Sequence, residues 1–291
     1  MKGRIIKNQN GYFSIWGEAG QLHLCRSRGR LKRSTDVLVG DLVEYEVPEA
    51  ATEAVIPAVY PRKTALRRPM AVNVDLLVLT SAVRTPDVNR YTLDKMILLA
   101  EDAGLSILLC FNKADLAPEL ADRLSRDYER AGYRTVRTST VTGAGLEELG
   151  AALKGHIIAF SGPSGVGKSS LLNHFLGEER LASGGVSART GRGKNTTRHA
   201  ELIPFGPDGF LMDTPGYTSL ALDNIPPENV SYLFRDFRPY LSGCRFTDCM
   251  HLREPDCAVR AAVERGEILR SRYQSYCQAL DELKENHSRY L

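Results

Sequence analysis

The chain has 291 residues, 43% of them hydrophobic and 25% charged, with a formal net charge of +3. That balance excludes a chain too polar to bury a core, and the length admits two or three domains. The most apolar run, Val74 to Leu79, is far too short to span a bilayer, and Met1 to Lys7 lacks the apolar core of a secretory signal. The expectation is a cytoplasmic protein with no membrane partner.

Residues 1 to about 64 predict five short strands: Arg4–Ile6, Tyr12–Trp16, Leu22–Arg26, Leu42–Val47 and Val55–Val59. Gly- or Pro-bearing turns separate them, which suits a small barrel of the OB type, with an SH3-like barrel nearly as good. The densest basic run of the chain, Arg26, Arg28, Arg30, Lys32 and Arg33, falls in a loop of this barrel. Such a run suits RNA phosphates.

From about 65 to 222 the pattern alternates. Apolar runs at Asp75–Thr80, Ile107–Phe111, Thr135–Thr138, Ile157–Phe160, Leu202–Phe205 and Phe210–Met212 predict buried strands. Helical spacing lies between them at Tyr91–Ala103, Pro118–Ala131, Leu146–Leu153 and Lys168–Leu176. The expectation is an α/β domain, a mostly parallel sheet with helices on both faces. Residues 177–199, rich in Gly, Ser, Thr and Arg, read as a mobile loop. From 223 onward Pro- and Cys-rich turns give way to helices at Ala258–Arg265 and Arg270–His287. The expected division is therefore 1–64, 65–222 and 223–291.

Three nucleotide motifs occur in an unusual order. Asn112-Lys113-Ala114-Asp115 comes first, directly after a predicted strand. Asp115 is suited to accept N1–H and the exocyclic amine of guanine, two donors that adenine lacks. Asn112 is suited to tether loops and face the base, and the Lys113 stem to pack on its plane. Ser139, after the next strand, sits where a second base-supporting loop belongs. Gly162-Pro163-Ser164-Gly165-Val166-Gly167-Lys168-Ser169 follows, between a strand and a helix, with Ser170 next. Its glycines let backbone N–H groups turn inward around phosphates, Lys168 supplies a point charge, and the Ser169 hydroxyl is a Mg²⁺ ligand. Asp213-Thr214-Pro215-Gly216 comes last, giving a magnesium-holding carboxylate and a Gly216 N–H that senses a γ-phosphate. This order reads as a circularly permuted GTP-binding domain.

Six cysteines are present, and three crowd together as Cys244-x₄-Cys249-x-His251-x₅-Cys257. Three thiolates and one imidazole close a tetrahedral Zn²⁺ site with no open position, so the ion is read as structural. Cys110 and Cys277 read as small core residues.

Together the barrel, the permuted motif order and the Cys₃His cluster resemble the small-ribosomal-subunit biogenesis GTPases of the RsgA (YjeQ/YloQ) family. The resemblance covers essentially the whole chain. It implies an OB-fold barrel, a permuted GTPase domain and a zinc-binding C-terminal domain. It also implies GTP hydrolysis stimulated by the small subunit late in its assembly, with ribosomal RNA, GTP and GDP as partners and a monomeric state. The family's GRGKHTT segment reads Gly191-Arg192-Gly193-Lys194-Asn195-Thr196-Thr197 here, so Asn195 stands where the family has a histidine proposed to organise hydrolysis. Thr197 is the expected switch threonine on Mg²⁺, with Thr196 second. Tyr217 follows Gly216 where many GTPases carry a water-positioning Gln. Slow intrinsic hydrolysis is therefore expected, with the RNA partner completing the site. An alternative is an RNA-binding protein that senses nucleotide and barely turns over; an ATP-dependent kinase fits the base-reading motif poorly.

Overall fold

The computed structural model describes residues 1–9, 12–26, 37–48, 53–66, 71–177, 201–213 and 221–289. The chain divides into two compact units. The first comprises 1–77, 150–160 and 169–218; the second comprises 78–149, 161–168 and 219–291.

In the first unit, β1 (Lys2–Gln9), β2 (Tyr12–Gly17), β3 (Leu22–Arg26), β4 (Leu42–Glu46) and β5 (Val55–Val59) make the barrel, as the turn spacing predicts. β2 alternates half-buried and buried residues along its length, the period-two signature of a strand with one face on a core. That core joins Ile5, Phe13, Ile15, Cys25, Val43, Tyr45 and Ile56. β1 pairs antiparallel with both β2 and β4, and shifts register between Ile5 and Lys7. Two-residue strands β6 (Ala65–Leu66) and β7 (Ala71–Val72) pair antiparallel beyond it.

The same unit holds strands of the nucleotide-binding sheet. β11 (Ile157–Ser161) runs parallel to β13 (Gly209–Asp213), which forms an antiparallel hairpin with β12 (Glu201–Phe205). β12 also pairs with β1, at Lys7 and Glu201, where the two side chains form a salt bridge. The sheet is therefore mixed rather than parallel throughout. A three-residue turn, Gly206–Asp208, joins β12 to β13, too short for the crossover that a parallel pair needs.

The second unit carries β8 (Leu76–Ala82, its last five residues), β9 (Ser106–Asn112) and β10 (Arg134–Thr138), neighbours in that order, with β9 and β10 parallel. β8 is buried at every position, as expected of a strand covered on both faces. Helices α1 (Arg90–Asp102), α2 (Pro118–Arg130) and α3 (Leu146–Leu153) alternate with these strands along the chain. Asn89 caps α1 by accepting from the Thr92 N–H at 2.9 Å. α4 (Lys168–Leu176) follows the phosphate loop and from Ser169 on belongs to the first unit. The C-terminal part of the second unit is helical: α5 (Val230–Leu233), α6 (Arg238–Leu241), α7 (Ala258–Glu264) and α8 (Arg270–Arg289). Its core is aromatic, with Phe234, Phe237 and Tyr276 mutually in contact beside Ile268, Leu280 and Leu283. No helix among the described residues is long and apolar enough to cross a membrane.

Candidate nucleotide site and metal centre

The base-reading loop and the phosphate loop belong to the same unit and are tied directly together. Asn112 ends β9 fully buried, and its amide donates to the Val166 carbonyl 54 residues away at 2.9 Å. Its own oxygen accepts from the Thr138 hydroxyl at 3.0 Å. Asn112 thus acts as a tether between the two loops, with one amide hydrogen and one oxygen lone pair beyond these two bonds. Thr138, at the end of β10, completes a chain that runs on to Cys110 Sγ at 3.3 Å. Burial pushes the Cys110 thiol up to about 12, which keeps it a neutral member of that chain.

Lys113 takes a left-handed backbone (φ 58°) and donates its ammonium to the Gly165 carbonyl at 2.8 Å and to the Thr85 carbonyl. A non-glycine residue in that region is uncommon and is kept there by its surroundings. This posture leaves Asp115, exposed in the following turn of 3₁₀ helix (Ala114–Leu116), free to meet a ligand. Ser139 is buried, and its hydroxyl accepts from the Thr142 N–H at 3.1 Å, shaping the adjacent loop.

Within Gly162–Lys168 the three glycines have φ of 151°, 79° and 97°. The loop is also too close to its neighbours for side chains at two of them. A Cβ on Gly162 would lie 2.1 Å from the Thr80 carbonyl, and one on Gly167 would lie 2.2 Å from the Asn112 amide nitrogen. Lys168 donates to the carbonyls of Gly162 and Pro163 at 2.7 and 2.6 Å, and burial lowers its pKa. Phosphate oxygens are stronger acceptors than these carbonyls, so a nucleotide would redirect the ammonium. Pro163, Ser164 and Gly165 are exposed, Val166 is buried against the tether, and Ser169 and Ser170 open α4 exposed. A cavity of about 230 Å³ beside the loop is lined by Thr80, Pro86, Leu93, Met96, Pro163 and Val166. β13 ends at Asp213; the side chain of Asp213 lies outside the described residues, as do Asn195, Thr196, Thr197, Gly216 and Tyr217. The side chain of Arg26 and all of Arg28, Arg30, Lys32 and Arg33 lie outside them too.

Gly167→Ala tests the close approach. The added methyl meets the tether amide and adopts an unfavourable backbone, an expected loss of about 2 kcal/mol or more in GDP affinity. Fluorescent-GDP titration checks it, with Gly155→Ala as the control. Gly155 has φ 75° but nothing within 4 Å of its added methyl, so that variant should bind GDP normally.

Cys244, Cys249, His251 and Cys257 offer ligand atoms that all lie within 4.8 Å of one another. His251 Nδ1 is 3.5 Å from Cys244 Sγ and 3.4 Å from Cys257 Sγ, and those two sulfurs are 3.9 Å apart. Edges of this length fit a tetrahedron with Zn–S near 2.3 Å and Zn–N near 2.0 Å. Burial pushes the Cys249 thiol up to about 12, helped by the neighbouring sulfurs; a divalent cation reverses that cost. Glu254 locks the ligand loop by accepting N–H bonds from Met250, Leu252 and Arg253. The Tyr273 and Tyr276 hydroxyls on α8 donate to the His251 and Met250 carbonyls, each at 2.7 Å. Spacing alone picks out the four ligands but not Glu254 or these two tyrosines.

Tethered loops, a glycine-built phosphate cradle and strands in this chain order define a circularly permuted P-loop GTPase. The RsgA GTPase family matches residues 59–223 and the RsgA N-terminal domain matches 2–56. The chain belongs to the RsgA family. It is 42% identical over 291 residues to a small ribosomal subunit biogenesis GTPase RsgA of Caldanaerobacter subterraneus, covering 99% of this chain and 98% of that one. A protein of the same name from Alkaliphilus metalliredigens is 40% identical, with 98% of each covered. The crystal structure of YjeQ from Thermotoga maritima superimposes with a TM-score of 0.83 at 37% identity, covering 97% of this chain and 98% of that one. YloQ, described as a circularly permuted GTPase, gives 0.83 at 32% identity, with 98% and 95% covered.

Proposed function

We propose that this chain hydrolyses GTP to GDP and phosphate in the maturation of the small ribosomal subunit, whose RNA it binds and which stimulates it. The observation that carries the reading is the Asn112–Val166 tether, which joins the base-reading loop to the phosphate loop. Family membership along the whole length favours turnover over a nucleotide sensor that barely turns over.

In this reading residues 1–64 bind RNA, with Arg26, Arg28, Arg30, Lys32 and Arg33 on phosphates. Residues 65–222 bind and hydrolyse the nucleotide, and residues 223–291 hold zinc. Asp115 accepts from the guanine edge and Lys113 covers its plane. The backbone N–H groups from Gly162 to Lys168 surround the β-phosphate, and the Lys168 ammonium moves from its carbonyls to the β- and γ-oxygens. Ser169, exposed on the first turn of α4, offers a hard oxygen that fits Mg²⁺, with Asp213 and Thr197 as further ligands. The bound metal would neutralise charge as the γ-phosphoryl leaves. Gly216 senses that γ-phosphate. Asn195 orients water but takes up no proton at neutral pH, so the isolated chain turns over slowly. The site of action is cytoplasmic and the protein monomeric.

Phosphate release with and without purified small subunits tests this reading. Strong stimulation is expected, and Asn195→His should raise the rate further; turnover indifferent to the subunit refutes it. Asp115→Asn tests the base reading. The amide keeps an acceptor for N1–H but turns a donor toward the guanine amine, an expected loss of about 3 kcal/mol, roughly a hundredfold. Xanthosine triphosphate, with an oxygen in place of that amine, should bind the variant better than GTP does. Competition titration reads both.

A further inference from the structure

Strand β1 belongs to two structures at once. Its first half closes the barrel, where Lys2, Gly3 and Arg4 pair with Glu44, Val43 and Leu42 of β4. Its register against β2 then shifts between Ile5 and Lys7, and beyond the shift Lys7 pairs with Glu201 of β12. A bulge at such a shift bends the strand and ends its local pairing. The second half of β1 thereby extends the nucleotide-binding sheet, and the barrel is attached to that sheet by strand pairing.

The element that β1 joins is the β12–β13 hairpin, a unit paired along five rungs from Glu201 opposite Asp213 to Phe205 opposite Gly209. β1 meets this hairpin at both ends. At the open end Glu201 stands opposite Asp213 on one side and Lys7 on the other, so one register row runs Lys7, Glu201, Asp213. The Lys7 ammonium pairs with the Glu201 carboxylate at 2.9 Å. At the turn end the Arg4 guanidinium lies over the Phe210 ring at 5.8 Å, and it also donates to the Gly40 carbonyl in the barrel at 2.8 Å. A hairpin held at two points by one strand moves with that strand.

The open end is also where the nucleotide acts in the reading above. Asp213 and Thr197 are the further magnesium ligands of that reading, and Thr197 lies four residues before Glu201 in the chain. Loss of a γ-phosphate releases contacts of this kind.

We propose that β1 is a lever. The β12–β13 hairpin passes the nucleotide state through the Lys7–Glu201 row into the barrel, and holds β1 more firmly in the GTP form than in the GDP form. The inference rests on the GTPase reading for its ligand and on the strand pairing for its route.

Hydrogen exchange of the intact protein, with Mg²⁺ and either GDP or a non-hydrolysable GTP analogue, follows that route. The hairpin and the β1 peptide should both exchange more slowly with the analogue, β1 by at least about fivefold, the low end of coupling between linked sites. Lys7→Glu sets two acids opposite each other, which disfavours that rung. It should leave the hairpin's response intact and cut that of β1 to about twofold or less. Lys7→Glu combined with Glu201→Lys reverses the charges and should restore the response. Unchanged thermal unfolding and GDP affinity serve as the folding control. A folded Lys7→Glu variant with the full β1 response overturns the proposal. So does a wild-type β1 that exchanges equally in both states with the analogue bound. If β1 is indifferent while small subunits still stimulate hydrolysis, the lever fails and the GTPase reading survives. If neither GDP nor the analogue binds, that reading fails with it.

Discussion

Arg272→Met should cost about 3–5 kcal/mol of stability, the usual penalty for removing one member of a buried ion cluster. Arg272 lies on α8 with 1% of its surface exposed. It donates to Asp94 on α1 and, at 2.9 Å, to Asp236. The Phe234 ring covers its guanidinium at 4.5 Å, and Tyr133 and Tyr128 stand at 5.6 and 5.8 Å. Tyr128 also donates to Asp94 at 2.9 Å. Methionine would fill the stem's volume, but it would leave two carboxylates in a nearly dry pocket with one tyrosine hydroxyl between them. The size of the loss comes from those stranded charges, not from a large net value of the intact cluster. A second variant separates the two. Arg272→Met combined with Asp94→Asn and Asp236→Asn should recover most of the lost stability, because the cluster against a neutral replacement is close to break-even. Urea unfolding of the single and combined variants measures this. A combined variant no more stable than Arg272→Met alone would mean that shape, not charge, makes the cluster matter.

This cluster also marks where the sequence stops being legible. In a polar helix such as Arg270–Arg289, an arginine reads as solvated. Asp94 and Asp236 lie 178 and 36 residues from Arg272 along the chain, and no local spacing joins them. The motifs that could be read are those whose chemistry is local. The phosphate loop needs glycines at fixed offsets, and its left-handed φ values and 2.1–2.2 Å approaches show why. The zinc ligands fall within fourteen residues and close on one point. The barrel strands were legible as short runs between Gly- and Pro-bearing turns. The Asn112 tether was only half legible. Its place in the motif is local, but its partners, Val166 and Thr138, are supplied by other loops. Their hydrogen bonds fix the amide's orientation, which local spacing cannot show. The β12–β13 hairpin was readable as two strands, whereas its direction follows from a turn too short for a crossover.

Removal of zinc should be the costliest single change in the second unit. Structural zinc contributes about 10–16 kcal/mol in isolated finger peptides, which have little other core. Here Phe234, Phe237, Tyr276, Ile268 and Leu280 form a core of their own, and α8 packs on α1 through the Arg272 cluster and the Lys95–Glu282 ion pair. The loss should therefore fall below the peptide value, at roughly 5 kcal/mol or more. It should be local at first. The ligand loop from Cys244 to Cys257 contains no strand or helix among its described residues. It is held by Glu254 and by carbonyl bonds to Tyr273 and Tyr276. Cys257 also caps α7, its sulfur accepting the Arg260 N–H at 3.5 Å, so that helix should fray with the loop. A strong chelator should make residues 245–256 protease-sensitive while most α8 helicity remains, and readdition of zinc should reverse this. Metal analysis should give one zinc per chain. Cys257→Ser should lose it, and Cys277→Ser, outside the ligand set, should retain it. If Cys277→Ser loses the metal and Cys257→Ser keeps it, the ligand assignment is wrong. If the chelated protein unfolds in one step with all its helix content, the metal instead supports the entire unit.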